Sequence, residues 1–271
     1  VHVFDAHAPY DPRAQEEAAL ALQVPRTAAA GLGPDPEPPP PRIRKAGITN
    51  PRFVNALYAA EAEYVDASLD SLLSLDRMRR AALAFTADHG ESLTENELYW
   101  SHNGAYLPTL AVPLIVAHPS LERAVSARPV QQHRLGATLL ELAGVRAEFP
   151  GTSLVEAAST SRGLEPVFGL SSFGLQATVT LGHWHLVFDL RSFESAGRAH
   201  VWQKGRTQLF DRREGLGTQR DVSPEHPERT AELRAALLDW LARGSARGLG
   251  ADVQLSETAA ENLQALVYAG F

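Results

Sequence analysis

The feature that most constrains the fold is a long amphipathic helical pattern followed by a short apolar strand and a charged loop. Between Phe53 and Met78, apolar side chains recur at steps of three and four residues, the spacing of one helix face. The next segment, 81–86, reads Ala-Ala-Leu-Ala-Phe-Thr, which is typical of a compact strand. Asp88-His89-Gly90-Glu91 comes directly after it. This order of helix, strand and polar loop predicts an α/β architecture for the first half of the chain.

The polar loop after this strand is the first candidate site. In open α/β sheets, ligands gather beyond the carboxyl ends of strands, where Asp88 and His89 are expected to lie. A carboxylate beside an imidazole suits a divalent cation when further carboxylates complete its coordination. Alternatively, Asp88 caps a following helix and His89 packs at the loop edge. The residues by themselves leave both interpretations open.

The second half of the chain has closely spaced strand patterns. These runs predict a small antiparallel sheet, and Pro224–Ala242 predicts an amphipathic helix after it, started by Ser223 and Pro224. The predicted strands are 165–170, 177–181, 183–190, 201–203 and 207–210. We place a domain boundary near Pro150, between residues 1–150 and 151–271. Trp184 and Trp202 are expected to pack in the core rather than to bind sugar.

Composition excludes several classes of function. The chain has 271 residues, of which 44% are hydrophobic, enough to bury a substantial core. Its formal net charge of −7 argues against a nucleic-acid partner, which requires a broad positive field. No run approaches the roughly 20 apolar residues of a membrane span. The absence of cysteine excludes disulfides, thiolate metal sites and a cysteine nucleophile.

Two further segments indicate how the chain is organised. Pro38–Pro41 predicts a surface loop, because four consecutive prolines fit neither a helix nor a central strand. The opening Val1–Phe4 has the pattern of a buried strand, without an initiator methionine or a signal-peptide pattern. We therefore expect a truncated chain.

Several blocks of the chain resemble one family in their order and spacing. The central blocks are Phe85–Leu93, Ser101–Gly104 and Val112–Val116; the others are Phe4–Pro12, Ala137–Val145, Gly151–Leu154, Gln208–Asp211 and Leu263–Gly270. Together they resemble the C-terminal portion of the sulfatases, in the alkaline-phosphatase superfamily. The resemblance implies a partial alkaline-phosphatase-like sheet sandwiched by helices. An antiparallel-sheet and helix subdomain would follow and cover one edge of the cleft.

The resemblance also implies an activity and a set of site residues. It implies metal-dependent hydrolysis of sulfate esters, with a small molecule or glycan as substrate. Asp88 and His89 would be metal ligands, with calcium favoured and manganese, magnesium or zinc as alternatives. His7 would contact the sulfate, and His102 would lie near the leaving oxygen. Without the resemblance, His7 is a loop histidine bonded to backbone and His102 belongs to an aromatic packing segment.

The chain departs from the family pattern in one important respect. It has no cysteine, and no serine followed by proline two positions later and arginine four positions later. The family's nucleophile, a formylglycine made from such a residue, and two further acidic ligands are therefore missing. We expect the chain alone to be inactive and to bind metal weakly, since calcium takes six to eight oxygens. Arg134 replaces an expected aspartate and Ala137 a proline.

Other interpretations remain open. The Asp88–Glu91 block also resembles phosphodiesterases and phosphoethanolamine transferases of the same superfamily, and the missing nucleophile allows a non-catalytic binding or structural module. Localisation follows only from the family, whose members are often periplasmic or extracellular. The histidines outside the quoted blocks are assigned structural or surface roles; they are His2, His118, His133, His183 and His185.

Overall fold

The computed structural model describes residues 3, 6–7, 10, 24–27, 47–146, 149–155, 164–194 and 200–246. The Pro38–Pro41 segment and the Leu263–Gly270 block lie outside the described residues, as does all but Val3 of the predicted first strand. The chain divides into two compact units. One contains Val1–Leu73 with Arg243–Phe271, and the other contains Ser74–Ala242.

The first unit contains helix α1, Pro51–Leu73. Asn50 caps it, because its side-chain oxygen accepts the backbone N–H of Arg52 at 3.0 Å while Pro51 occupies the first helical position. The predicted helix is therefore present, but it ends at Leu73, and Leu75 adopts an extended conformation before a short 3-10 turn.

The apolar stripe predicted on this helix is buried only in its first half. Phe53, Leu57 and Ala60 are buried, whereas Tyr64 is 51% exposed and Leu75 is 40% exposed. A continuous apolar stripe favours burial of the whole face, and this expectation is wrong for its second half. Periodicity identifies the apolar face of a helix but does not specify what covers it.

The second unit begins with a two-stranded antiparallel sheet, β1 (Leu83–Thr86) and β2 (Leu114–Ala117). Phe85 lies opposite Ile115 in the register. The connection between the strands contains the short helix α2, Leu107–Leu110. Helix α3, Arg134–Leu142, follows β2 and overlaps the Ala137–Val145 block.

The arginine that replaces an expected acidic residue begins this third helix. Arg134 forms an ion pair with Glu165, across the connection to the second half of the chain. The substitution therefore has a structural partner within the unit.

The second half forms a four-stranded antiparallel sheet, whose strands lie in the order β3 (Val167–Leu170), β4 (Gln176–Leu181), β5 (Trp184–Asp189) and β8 (Thr207–Asp211). A separate two-stranded sheet is formed by β6 (Phe193–Glu194) and β7 (Val201–Trp202). The predicted antiparallel sheet is therefore present. The boundary near Pro150 falls inside this unit and stays a prediction.

Helix α4, Pro227–Ala246, follows the sheet. The predicted start at Pro224 is wrong by three residues, because the N–H groups of Glu225 and His226 donate to the Val222 carbonyl in a turn before the helix. Of the described helices, none has the length and apolar character required to cross a bilayer.

The two faces of the four-stranded sheet differ in chemistry because side chains alternate along each strand. Ala177, Val179, Leu186 and Leu209 share an apolar cluster with Leu233 and Leu237 of α4. The opposite face of β4 presents Gln176, Thr178 and Thr180, which are also buried. This sheet therefore has an apolar face that packs on a helix and a polar face that is covered as well.

The polar face binds the chain segment that precedes α2. Gln176 accepts the backbone N–H of Ala105 at 2.8 Å, and His185 donates from Nε2 to the Ala105 carbonyl at 3.0 Å. The Tyr106 hydroxyl donates to the Gln208 side chain at 2.9 Å. The segment immediately after His102 is thus attached to the antiparallel sheet.

Candidate functional site

Asp88 and His89 follow the end of β1, as predicted. The Asp88 side chain is 85% exposed, and its Oδ1 accepts the backbone N–H of His89 at 3.0 Å. No helix begins at this point; the next helical turn is the 3-10 segment Glu95–Glu97. The helix-cap interpretation of Asp88 is therefore wrong, and its second carboxylate oxygen, Oδ2, faces the His89 ring.

The orientation of His89 leaves one nitrogen suited to bind a cation. Its Nδ1 lies 2.9 Å from the Gly90 carbonyl, an acceptor, so the neutral ring carries its proton on Nδ1 and its lone pair on Nε2. Nε2 is 3.9 Å from Asp88 Oδ2. Two atoms at that separation can both lie about 2.0–2.4 Å from one divalent cation. The pair fits such an ion but supplies only part of its coordination.

Gly90 attaches this loop to α2 through a close backbone approach. Its N–H donates to the Thr109 carbonyl at 2.8 Å, and a Cβ at this position would overlap the Pro108 carbonyl oxygen. Only glycine fits here without displacement of one backbone segment. The position of His89 thus depends on a residue that carries no functional group.

His102 reaches His89 through an isolated β-bridge. Ser92 and Ser101 exchange two backbone hydrogen bonds of 3.0 Å, which hold the segments carrying the two histidines side by side. The rings of His89 and His102 stack with centroids 4.1 Å apart and an interplanar angle of 26°. Within this unit, Asp88, His89 and His102 therefore form one cluster, although only the latter two are stacked.

Glu91 belongs to the same cluster and was missed by sequence reasoning. Its side chain is 5% exposed, and its Oε1 lies 3.6 Å from Nδ1 of His102. Among the residues that the structure describes, that oxygen has no hydrogen-bond partner. The available signal was position alone, since Glu91 directly follows the Asp88-His89-Gly90 motif.

The loop between the two bridge residues has an unusual backbone. Asn96, Glu97 and Trp100 have φ values of 55°, 60° and 47°, a region that residues other than glycine seldom occupy. His200 donates from Nδ1 to the Asn96 carbonyl at 2.8 Å, and the Gln219 side chain accepts the Asn96 N–H. Residues from the second half of the chain therefore support this loop.

Burial shifts the pKa of three side chains that hold the segments around the cluster. Burial lowers the pKa of His185 to about 4, opposed by its hydrogen bond to Ala105. Burial also lowers the pKa of His200, and it raises the pKa of Tyr106 to about 12. Between pH 6.5 and 10 His185 and Tyr106 are neutral, so they act as hydrogen-bonding supports rather than as charges.

His7 belongs to the first unit, where it lies half-buried at a bend of the chain. Its assignment as a sulfate contact stays a prediction. His185 has the structural role that was predicted for it, and Trp202 is buried in the core as expected. His118 hydrogen-bonds the neighbouring Ser120, which agrees with a surface role.

Comparison with known proteins identifies relatives of this chain. The model of the Sulfatase family matches residues 2–145. The fold is similar to that of yidJ of Bacteroides fragilis, named as a sulfatase, with a TM-score of 0.55 and 18% identity over 88% of this chain and 52% of that one. No curated protein sequence gives a significant match.

Two further solved structures have similar folds. One is named as a sulfatase of Bacteroides thetaiotaomicron (TM-score 0.51, 21% identity, 77% of this chain and 47% of that one). The other was solved with D-glucosamine-2-N,6-O-disulfate, described as its substrate (TM-score 0.53, 15% identity, 76% of this chain and 45% of that one). The predicted fold class is confirmed, and the chain spans about half the length of these structures.

Proposed function

The chain belongs to the sulfatase family, and from this premise we propose that its complete gene product hydrolyses sulfate esters with the help of a divalent cation. The observation that carries the proposal is the cluster beyond β1. There the facing oxygen and nitrogen of Asp88 and His89 lie 3.9 Å apart, and the His102 ring stacks on that of His89. Calcium is the favoured ion, with manganese, magnesium or zinc as alternatives.

Each residue of the proposed site has a separate role. Asp88 Oδ2 and His89 Nε2 would hold the ion, whose charge when bound would neutralise the sulfate oxygens. His102 would contact the ester oxygen that leaves as the alcohol, where negative charge develops during S–O cleavage. His7 would contact the sulfate group. The attacking group would come from outside this chain, which has neither cysteine nor the family's serine pattern.

We further propose a sulfated sugar as the substrate. Support comes from the similar fold that was solved with a glucosamine disulfate. A sulfated sugar is anionic, so one cation and several imidazole donors match its charge better than an apolar pocket would.

The metal proposal is tested by calorimetric titration of the chain with CaCl₂. We expect weak binding, with a dissociation constant on the order of 1 mM, because only part of the coordination comes from this chain. Asp88→Asn and His89→Gln should each weaken binding about tenfold or more. His118→Gln is the matched control and should bind as the wild type does. Equal affinity in all four proteins would refute these ligands.

The catalytic proposal requires the complete gene product, assayed with an aryl sulfate and the matching aryl phosphate. We expect preferential turnover of the sulfate and a loss of at least about 100-fold in kcat/KM for His102→Gln. Preferential turnover of the phosphate ester would favour a phosphodiesterase or phosphoethanolamine transferase instead. If neither ester is turned over, a non-catalytic role is favoured.

A further inference from the structure

We propose that one end of the four-stranded sheet is a binding surface for the chain of a sulfated polysaccharide. This surface, which we call the sheet-end surface, consists of three cationic side chains and two aromatic rings: Arg191, Lys204, Arg206, Phe173 and Phe193. It is separate from the cluster beyond β1, and binding to it requires no hydrolysis. The choice of a sulfated sugar chain as the partner rests on the function proposed above.

The backbone brings the cationic residues to the same end of the sheet. The strand register places the end of β5 beside the start of β8. The Lys204 N–H donates to Ser192 Oγ at 3.1 Å, and the Asp189 N–H donates to the Arg206 carbonyl at 2.9 Å. The turn before β8, which carries Lys204 and Arg206, is therefore bonded to the segment after β5, which carries Arg191.

The three cationic side chains of this surface are exposed to solvent. None of them forms an ion pair with any residue in the part of the chain that the structure describes. The carboxylate beside the turn, that of Asp189, is buried and accepts hydrogen bonds from Gln176 Nε2 and the Gln203 N–H. Because the whole chain has a net charge of −7, this local group of cations is where a polyanion would be attracted.

The two aromatic rings give the surface an apolar part. Phe173 is 62% exposed in the connection from β3 to β4, which lies at the same end of the sheet, and Phe193 of β6 is 46% exposed. The ring of Phe193 lies 5.6 Å from that of the buried Trp202, which fixes its position. An exposed ring beside cations offers a face to the C–H side of a sugar ring, while the cations contact its sulfate groups.

This end of the sheet also holds the segment that follows His102. Gln176, the first residue of β4, accepts the Ala105 N–H at 2.8 Å. Ala105 is three residues from His102, which corresponds to at most about 10 Å of chain. A polysaccharide bound to the sheet-end surface would therefore lie near the residues that we propose act on sulfate esters. For this reason we choose a sulfated sugar chain rather than a nucleic acid.

Binding is tested by calorimetric titration of the chain with heparin, a sulfated polysaccharide. We expect a dissociation constant of about 1–100 μM at about 50 mM NaCl, with a logarithmic salt slope of roughly −2 to −3 from three cations. The combined variant Arg191→Gln, Lys204→Gln and Arg206→Gln should lose at least about tenfold in affinity and most of the salt slope. Arg206→Gln alone should reduce the slope by about one.

The control for Arg206→Gln is Arg123→Gln, which makes the same change of charge at an exposed arginine outside the surface. It should leave both the affinity for heparin and the salt slope unchanged. Equal loss of affinity in Arg206→Gln and Arg123→Gln would show that net charge, and not the sheet-end surface, governs binding, and would overturn the inference.

Two further variants test the ring and the sign of the charge. Phe173→Asn should weaken heparin binding about fivefold without changing the salt slope, and asparagine tolerates the φ of 59° at this position. Besides burial, the charges of Arg206 and Glu97 both act on the pKa of His200, which places the exposed Glu97 close to the surface. Glu97→Gln should therefore strengthen binding about twofold.

Equal affinity of the wild type and the combined variant for heparin would overturn the inference. So would tighter binding of a single-stranded oligonucleotide of the same charge than of heparin, which would favour a nucleic-acid partner. The titration involves no turnover, so a complete gene product that cleaves no sulfate ester would refute the proposed function alone. Cleavage of aryl sulfates by that gene product, together with no heparin binding by the chain, would refute the sheet-end surface alone.

Discussion

At the scale of single residues, the site depends on Gly90 as much as on the side chains that carry chemistry. Asp88, His89 and His102 were named from the sequence because each is a plausible ligand or donor within a family block. Gly90 and Glu91 matter through their surroundings, namely a backbone contact with Pro108 and a buried position beside His102. Neither contact is local in sequence, so motif reasoning could not supply them.

Replacement of Gly90 by alanine tests the backbone contact. The added Cβ would overlap the Pro108 carbonyl oxygen, so either the loop or α2 must move. We expect a loss of roughly 2–4 kcal/mol in the free energy of unfolding, measured with urea, together with loss of calcium binding. Gly217→Ala is the control, since its Cβ would lie an ordinary 3.8 Å from Glu95. Equal stability of both variants would contradict the close approach.

The lowered pKa of His185 makes the stability of the fold depend on pH. Its pKa is about 4 in the fold against 6.5 for the free side chain, so the unfolded chain takes up the proton first as pH falls. The contribution of the neutral His185 ring to the free energy of unfolding is full above pH 6.5. This contribution is lost progressively as pH falls to 4, by about 3 kcal/mol in total. His200 acts in the same direction, because burial lowers its pKa too.

The variant that tests this pH dependence is His185→Gln, whose side-chain amide can still donate to the Ala105 carbonyl. We expect the free energy of unfolding of this variant to fall less steeply between pH 6.5 and 4 than that of the wild type. His118→Gln should retain the wild-type slope. An unchanged slope in His185→Gln would show that the buried ring is not a source of the acid sensitivity.

At the scale of secondary-structure elements, the four-stranded antiparallel sheet also holds a segment next to the candidate site. Its polar face attaches the segment after His102 through Gln176, His185 and Gln208. Strand periodicity predicted this sheet correctly, because alternation is a local property. It did not predict that Gln176, Thr178 and Thr180 would be buried on the second face, since burial depends on what packs there.

Gln176 is the residue through which this attachment is best tested. Its Nε2 donates to Asp189 at 2.7 Å, and its oxygen accepts the Ala105 N–H at 2.8 Å. Gln176→Leu would remove both bonds and leave a buried carboxylate and a buried N–H with fewer partners. We expect a loss of about 2–5 kcal/mol in urea unfolding and a shift of the His102 NMR signals. The exposed Gln203→Leu should change neither quantity by much.

At the scale of the whole chain, the described residues supply one part of the proposed site. The chain supplies the cluster beyond β1 and the sheet that supports it. It contains no cysteine and no serine of the family pattern from which a nucleophile could be made. The chain and the complete gene product are therefore expected to differ in activity.

The prediction is that the chain by itself does not hydrolyse aryl sulfates at a measurable rate, with or without calcium. The complete gene product under the same conditions is the positive control. Turnover by the chain that is abolished in His102→Gln would contradict the prediction and would require a nucleophile among its own residues. Turnover that survives this substitution would instead indicate a contaminating enzyme.

Features that depend only on residues close together in the chain could be predicted from the sequence. These are the α/β class, the antiparallel sheet of the second half, helix α1, and the polar loop after β1, which all follow from periodicity and short motifs. Which of these segments contact one another is visible only in the folded chain. The Ser92–Ser101 bridge, the Gly90 contact and the burial of Glu91 beside His102 join segments through packing, and a local pattern contains no information about the partner across the contact.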